Sequence, residues 1–317
     1  RRALIAAGFA LIFSMSQAWA ATTDIQLWHA MPGELGRQLG RIVDKFNASQ
    51  KQYRIIPVFK GTYSETVNAA IFAMRTRTHP AIVQVSEVGT ATMMAAKGAV
   101  YPISELVQDA GEMLDAQPFL PTVAGYYADI SGNLLSYPFN VSTPILYYNK
   151  TLFRRAGLDP AVPPRTWPEL EKTAQRLREA GVPCGFSSHW PSWIHVENFS
   201  ALPDLPIATQ ANGLRGLDAE LTINNPALVN YIAALVSWQK SRTFDYGGRG
   251  TTAEPKFYSS ECAMFIGSSA LIAEMRMKAK FDVGYGMLPY WPDIRAAPQN
   301  SMIGGASLWV LRGRPSV

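Results

Sequence analysis

The sequence predicts an α/β protein built as two lobes, and three observations carry that expectation. Strand-like and helix-like segments alternate from DIQLWHA (24–30) to AIVQVS (81–86). The alternation restarts after residue 145, with no Gly/Ser-rich tether between the two series. A chain of 317 residues is also long enough to favour two domains over one. Strand, helix, strand, helix, strand is the order of a parallel sheet with helices packed on it.

DIQLWHA is an apolar run of strand length. Pro32 suits the first turn of a helix, whose Leu35, Leu39, Ile42, Val43 and Phe46 repeat at helical spacing and predict one buried face. YRIIPVF (53–59) is a second strand, and its Pro57 points to an edge or a turn. Ser64 is the expected cap of the next helix, with Val67, Ala70, Ile71 and Met74 on one face and Pro80 closing the segment. In the second series ILYYN (145–149) is β-prone. Thr166-Trp167-Pro168-Glu169 is a capping box, so a helix starts there, turns Leu170, Ala174 and Leu177 inward and stops at Gly181. VPCGFSS (182–188) follows as a strand. Asn225-Pro226 caps a helix with Leu228, Ile232, Leu235 and Val236 on one side. ECAMFIGSS (261–269) is a strand that runs into small polar residues.

Apolar residues make up 48% and charged residues 17%, a globular balance. The first twenty residues, RRALIAAGFALIFSMSQAWA, place two arginines before an apolar run and end on Ala18-Trp19-Ala20. That is the pattern of a cleaved secretory signal over 1–20, too short for a comfortable membrane span. Arg1 and Arg2 leave with it, which takes the formal charge from +5 to +3. No Lys/Arg run marks a nucleic-acid or membrane footprint. Cys184 and Cys262 are the two cysteines, and an exported chain leaves open one bridge or two buried thiols.

Ligands of parallel α/β sheets collect beyond the carboxyl ends of strands. His29 follows the first strand, Tyr63 the second and Glu87 the third; the second series delivers Trp190 and Trp193, then Ser268 and Ser269. SMIGGASLWV (301–310) sets Gly304, Gly305, Ala306 and Ser307 before an apolar strand. Backbone amides at a helix start hold an anion. An indole face covers the apolar side of a polyol while a carboxylate accepts its hydroxyl protons. Together these groups suit a small, polar ligand. Each has a plain structural alternative: the tryptophans as packing, Glu87 as a solvated loop acid, Gly304-Gly305 as a turn, and the serines as helix caps.

Other chemistry finds less support. His189 and His195 lie six apart across a proline, which is not a helical zinc pair, and His29 and His79 read as structural. There is no G-x-S-x-G elbow and no Walker loop. A glycosidase needs two carboxylates across a cleft, and the sequence offers Glu87 no evident partner. No cofactor and no metal is expected.

WHAMPGELG, KGTYSETVNAAIFAMRT, QVSEVGTATMMAAKGAV, PFNVSTPILYYNK, WPSWIHVENFSA and APQNSMIGGASLWV also carry a family resemblance. The chain resembles the periplasmic sn-glycerol-3-phosphate-binding receptors of ABC importers, within the extracellular solute-binding proteins of family 1. Sugar-binding relatives share the architecture and the YYNK strand but not these loops. The resemblance implies a two-lobed periplasmic-binding-protein fold of hinge-linked, parallel-type sheets, closing on its ligand. It implies ligand contacts from Tyr63, Glu87, Ser142, Ser268 and Gly305, with Trp190 and Trp193 as a stacking wall and the histidines beside them incidental. It also implies roughly a hundred further residues that complete the second lobe and add a Tyr and an Arg to the site. On that expectation the C-terminal part of the second lobe is missing and the chain is a piece of a longer gene product.

The expected organisation is a signal over 1–20, a first lobe over 21–142, a second over 143–266, a return to the first over 267–305, and a crossing strand with a truncated end over 306–317. The expected function is a periplasmic, monomeric receptor for sn-glycerol 3-phosphate, with glycerophosphodiesters as a second ligand class. It would deliver ligand to permease subunits of an ABC importer without breaking a bond. A maltooligosaccharide receptor and a periplasmic phosphodiesterase or glycosidase are the alternatives.

Overall fold

A computed structural model describes residues 22–96, 98–114, 119–216, 218–294 and 298–313. The expected signal over 1–20 and the final residues 314–317 lie outside the described residues. Among the described residues no helix is long and apolar enough to cross a membrane.

Two sheets organise the chain. The first contains β1 (Thr23–His29), β2 (Tyr53–Phe59), β3 (Ile82–Ser86), β4 (Val100–Tyr101), β5 (Tyr137–Ser142) and, last in sequence, β10 (Gly304–Leu311). Its order is β2-β1-β3-β10-β4, with β5 also paired to β10. The second sheet contains β6 (Pro144–Asn149), β7 (Cys184–Ser188), β8 (Cys262–Ser268) and β9 (Val283–Met287) in the order β7-β8-β6-β9. The parallel expectation holds for β1 with β2 and β3, and for β7 with β8. Elsewhere it needs correction: β10 is antiparallel to β3, β4 and β5, and β6 is antiparallel to β8 and β9. The reason is the route of the chain. It leaves the first sheet along β5, passes Thr143 into β6, and comes back along β10 beside β5, so departing and returning strands run in opposite senses. The return is also later than the expected boundary at 267, because β9 still pairs with β6.

This routing decides where the loops gather. The carboxyl end of β3, at Ser86, pairs with Ala306 near the start of β10, and the carboxyl end of β8, at Ser268, pairs with Pro144 at the start of β6. Both sheets therefore point strand ends at the seam where the chain crosses between them.

Several helices bury less than their sequence pattern predicts. In the helix Gly33–Ser49 only Leu39 and Val43 are buried, while Leu35, Ile42 and Phe46 are exposed. In Pro226–Ser241 the inward stripe is Leu228, Tyr231, Leu235 and Trp238, and Ile232 and Val236 face out. Neighbouring helical positions differ by about 100°, so a helix lying on one sheet face keeps only the 3–4–3 stripe and sheds the next residue along. Ile71 is exposed for the same reason, while Ala70 and Ala73 pack inward. Thr62, not Ser64, caps the helix Tyr63–Arg75: its hydroxyl accepts the Glu65 amide and the Glu65 carboxylate accepts the Thr62 amide. The box at Thr166 and Glu169 and the cap at Asn225 form as expected.

The second sheet is the better packed. Trp167, Leu170, Leu177, Phe186, Tyr231 and Trp238 join the core on one of its faces. Cys184 and Cys262, opposite each other on β7 and β8, form a disulfide with Cα atoms 4.4 Å apart. Of the two possibilities left open, the bridge is the one realised. Closing a separation of 78 residues restrains the unfolded chain by about 4.5 kcal/mol. These two sulfurs and Asp245 are the one His/Cys/Asp/Glu cluster at metal-binding distance among the described residues, and the sulfurs are already committed to each other.

Candidate ligand site at the seam

The first-sheet side of the seam is set by a relay of amides. The Ala30 amide donates to Gln84 Oε1 at 2.9 Å, Gln84 Nε2 donates to Asn140 Oδ1 at 2.9 Å, and Asn140 Nδ2 donates to the Tyr63 hydroxyl at 3.4 Å. Gln84 is fully buried on β3, where an unpaired amide would cost free energy. With its oxygen accepting from Asn140, Tyr63 keeps its own O–H free to donate. Burial is the main reason its ionisation is pushed up, and Glu87 adds to it.

Glu87 opens the turn after β3. Its Oε2 accepts the Gly305 amide at 3.2 Å, and its backbone carbonyl accepts the Tyr126 hydroxyl at 3.3 Å. Burial pushes the Glu87 carboxyl up to about 7, helped by the charge of Glu197 and opposed by its own amide and that of Gly305. Among the described residues no basic side chain offsets these effects. At neutral pH this group both accepts and donates protons. Gly305 adopts φ +121°, and a Cβ there would lie 2.0 Å from the Asn140 carbonyl oxygen. Only glycine fits this approach.

The second-sheet side brings the aromatic surface. Trp193 begins a π-helical turn, Trp193–Asn198, a distortion often found at functional sites. It is 5% exposed and joins the core, yet its Nε1–H donates to the Ile303 carbonyl at 3.4 Å. Its ring lies so close to Gly304 that a Cβ there would sit 2.6 Å from it. Trp193 thus spans the seam. Trp190 differs: it is 36% exposed, with φ 43° in the left-handed region. A tryptophan held there, just before Pro191, is strained, and such strain concentrates at functional positions.

The histidines beside the tryptophans are buried in hydrogen-bonded positions. His195 is buried, hydrogen-bonded to Ser188 Oγ and to the Tyr231 hydroxyl, each at 2.7 Å. Burial pushes it down to about 3, so it stays neutral. His189 accepts the Ser268 amide at Nε2, 2.8 Å away, and faces Glu254 with Nδ1 at 3.3 Å. Both are held within the framework of the second sheet. His29 and His79 are buried too, the first accepting the Met31 amide and the second meeting the Arg312 carbonyl.

Ser142 ends β5 opposite Gly304, and its Oγ would lie 3.2 Å from a Cβ on that glycine. The next residue, Thr143, exchanges hydrogen bonds with Ser269: its amide donates to Ser269 Oγ at 3.1 Å and its carbonyl accepts the Ser269 amide at 2.8 Å. Ser268 Oγ caps the following turn by accepting the Ala270 amide at 3.2 Å, so the capping alternative for Ser268 is realised without excluding a second role. The structure therefore brings together Tyr63, Glu87, Ser142, Trp193 and Gly305, with Ser268 one crossing away, and leaves Trp190 partly exposed beside His189.

Sequence reading missed Glu197, Tyr126, Tyr127 and Asn140. Glu197 lies on the π-helical turn four residues after Trp193, its carboxyl raised by burial and within reach of Glu87's charge. Glu87 thus has an acidic neighbour after all. The buried Tyr127 hydroxyl has no partner among the described residues and lies in the field of Glu87 and Tyr63. A WIHVEN segment after the tryptophans and a YY pair were the only signals available, and neither has a chemical signature without the fold.

Several known proteins are similar to this chain. The family model for bacterial extracellular solute-binding proteins matches residues 33–315. The sn-glycerol-3-phosphate-binding periplasmic protein UgpB of Salmonella typhimurium is 50% identical over 310 residues, 98% of this chain and 70% of that protein. UgpB of Pectobacterium atrosepticum is 49% identical over 315 residues, 99% of this chain and 70% of that protein. Among solved structures, UgpB from Mycobacterium tuberculosis in complex with glycerophosphocholine superposes with a TM-score of 0.77 at 20% identity, covering 93% of this chain and 71% of that one. The GacH receptor of Streptomyces glaucescens gives 0.77 at 18% identity, over 93% and 73%. These likenesses show the two-lobed solute-binding fold. The chain belongs to the bacterial extracellular solute-binding protein family.

Proposed function

We propose that this protein is an exported solute receptor that captures sn-glycerol 3-phosphate, accepts glycerophosphodiesters as relatives of that ligand, and delivers them to the permease subunits of an ABC importer. The observation that carries the reading is the meeting at one seam of Trp193 from the second sheet with Gly304 and Gly305 from the first, where the Gly305 amide also holds Glu87. Half-identical relatives named for sn-glycerol 3-phosphate support it. The periplasm is the compartment this role requires, and it is one where a disulfide persists.

In this reading the hydroxyls of Tyr63, Ser142 and Ser268 and the amides near them face the phosphate. Neutral donors of this kind hold an anion without a matching cation. Glu87 and Glu197 face the glycerol hydroxyls, away from the phosphate charge, and the indoles cover its carbon face. No bond is broken: ligand favours the closed form through contacts that only that form completes. The two acids are also what hydrolysis of a glycoside would use, so turnover of a chromogenic substrate is the outcome that would replace a receptor with an enzyme.

Titration calorimetry tests the ligand. Heat is expected with sn-glycerol 3-phosphate and none with maltose, and Glu87→Ala is expected to weaken binding about tenfold or more, the worth of a hydrogen bond to a charged group. Binding of maltose alone, or an unaltered affinity in Glu87→Ala, would overturn the assignment.

A further inference from the structure

We propose that His189 is a positioning residue of the ligand site: as its neutral Nδ1–H tautomer it ties the carboxyl end of β8, and with it Ser268, to the loop that carries Trp190. The inference rests on the functional reading above, since it matters for ligand only if Ser268 and Trp190 meet one. His189 is 1% exposed. Its Nε2 accepts the Ser268 amide at 2.8 Å, which leaves the single ring proton on Nδ1, 3.3 Å from Glu254 Oε1. The ring edge meets Phe265 at 5.4 Å and Trp190 at 6.4 Å between centroids. Gly267 leaves room for the Phe265 and His189 rings together, because a Cβ there would lie 2.5 Å from Phe265 Cε1 and 3.2 Å from His189 Nε2. One imidazole therefore touches the backbone of one candidate contact and the ring of another.

The tautomer makes this contact sensitive to a proton. A proton added at Nε2 would set an N–H against the Ser268 N–H and remove the bond, while Glu254 gained a cationic partner. The groups that face His189 are the Glu254 carboxylate with the Tyr258 hydroxyl behind it, the Ser268 amide, and the rings of Phe265 and Trp190. Burial, the largest effect, disfavours the added proton, and Glu254 works against burial. Release of Ser268 is thus expected only below the ordinary histidine range.

Two substitutions separate positioning from simple packing. His189→Gln carries an acceptor out to the Nε2 position, whereas His189→Asn reaches only the Nδ1 position and leaves the Ser268 amide unpaired. In calorimetry with sn-glycerol 3-phosphate, Asn is expected to weaken binding about tenfold and Gln less than about threefold. In hydrogen exchange read by NMR, the Ser268 amide is expected to exchange faster in Asn and at close to the native rate in Gln. The native-to-Gln affinity ratio is expected to shift toward Gln as pH falls, because Gln carries no proton to gain. Native affinity in the Asn variant, or equal losses in Gln and Asn that track their melting temperatures, would overturn the inference. Native protein that fails to bind the probe while Ser268 exchange follows the expected order would instead overturn the functional reading and leave the positioning intact.

Discussion

On the first-sheet side of the seam Glu87 is poised to change charge; on the second-sheet side His189 and His195 are sealed behind the seam and held neutral. Glu87, raised to about 7, shares its environment with Glu197, Tyr63 and Tyr126, and no basic partner stands beside it among the described residues. His195, pushed down to about 3, and His189 are closed off by hydroxyls, an amide and a carboxylate. Burial drives all of these shifts, but its effect has opposite uses. A carboxyl kept partly protonated can both donate to and accept from a polyol. A histidine kept neutral is a rigid two-ended linker. Desolvation thus leaves one group at the seam able to change charge and holds two others neutral behind it.

The first-sheet side should be the more easily broken by a single atom. Gly305→Ala adds a Cβ that would lie 2.0 Å from the Asn140 backbone oxygen, at φ +121°. Backbone cannot yield as a side-chain tip does, so a loss of about 3 kcal/mol or more is expected, with ligand binding abolished because the amide that holds Glu87 must move. Chemical denaturation and calorimetry check it. A variant of native stability and affinity would mean that the strand pair β5 and β10 is not locked as described.

Why Gly305 was legible and its surroundings were not is a matter of range. GGAS before an apolar strand, the Thr166 capping box and the strand-helix alternation are local patterns, and local patterns survive in sequence. The parallel core of the first sheet followed from such alternation, but the antiparallel sense of β6 and β10 did not. It depends on the path between sheets, which no short window contains. The exposed Ile42 and Phe46 mark the same limit: periodicity finds an apolar stripe but not how much of it a sheet face covers. In the site, Glu87 stood out by following a strand. Glu197 did not, because its meaning comes from lying across the seam from Glu87, and the partners of His189 and His195 at Ser268, Glu254 and Tyr231 are likewise distant in sequence.

The charge contrast should be visible as two opposite limbs in the pH dependence of stability without ligand. Glu87 has a folded-state value of about 7, above its unfolded value near 4.5. Its contribution is therefore complete below the unfolded value and is lost as pH rises through about 7. His195 is depressed from 6.5 to about 3, so its contribution is complete above 6.5 and is lost as pH falls toward 3. Glu87→Gln is expected to remove the alkaline limb alone, gaining about 3 kcal/mol over the native protein at pH 8 while binding ligand more weakly. Denaturant midpoints at pH 5 and pH 8 check it. If the alkaline limb persists in Glu87→Gln, the charge that matters lies elsewhere, and Glu197 is the next group to neutralise.

The smallest expected effect on stability is the most informative about the wall. Trp190 and Trp193 are three residues apart but stand in different physical situations: one 36% exposed in a left-handed conformation, the other 5% exposed within the core. Trp193→Ala is expected to cost about 3–5 kcal/mol, so any loss of binding there confounds folding with contact. Trp190→Gly avoids this. Glycine accepts φ 43° without the steric penalty, which offsets the packing that leaves with the indole, and the change in stability is expected to stay within about 1 kcal/mol. If the exposed indole covers the ligand, affinity should nevertheless fall about tenfold, the scale of removing a well-packed aromatic contact from a binding site. A variant with unaltered melting and unaltered affinity would confine the wall to Trp193 and leave the strain at Trp190 serving only to turn the chain into Pro191. The carbon face of the ligand would then be covered by a single buried ring, and selectivity would fall to Glu87 and Glu197, which meet from opposite sides of the seam.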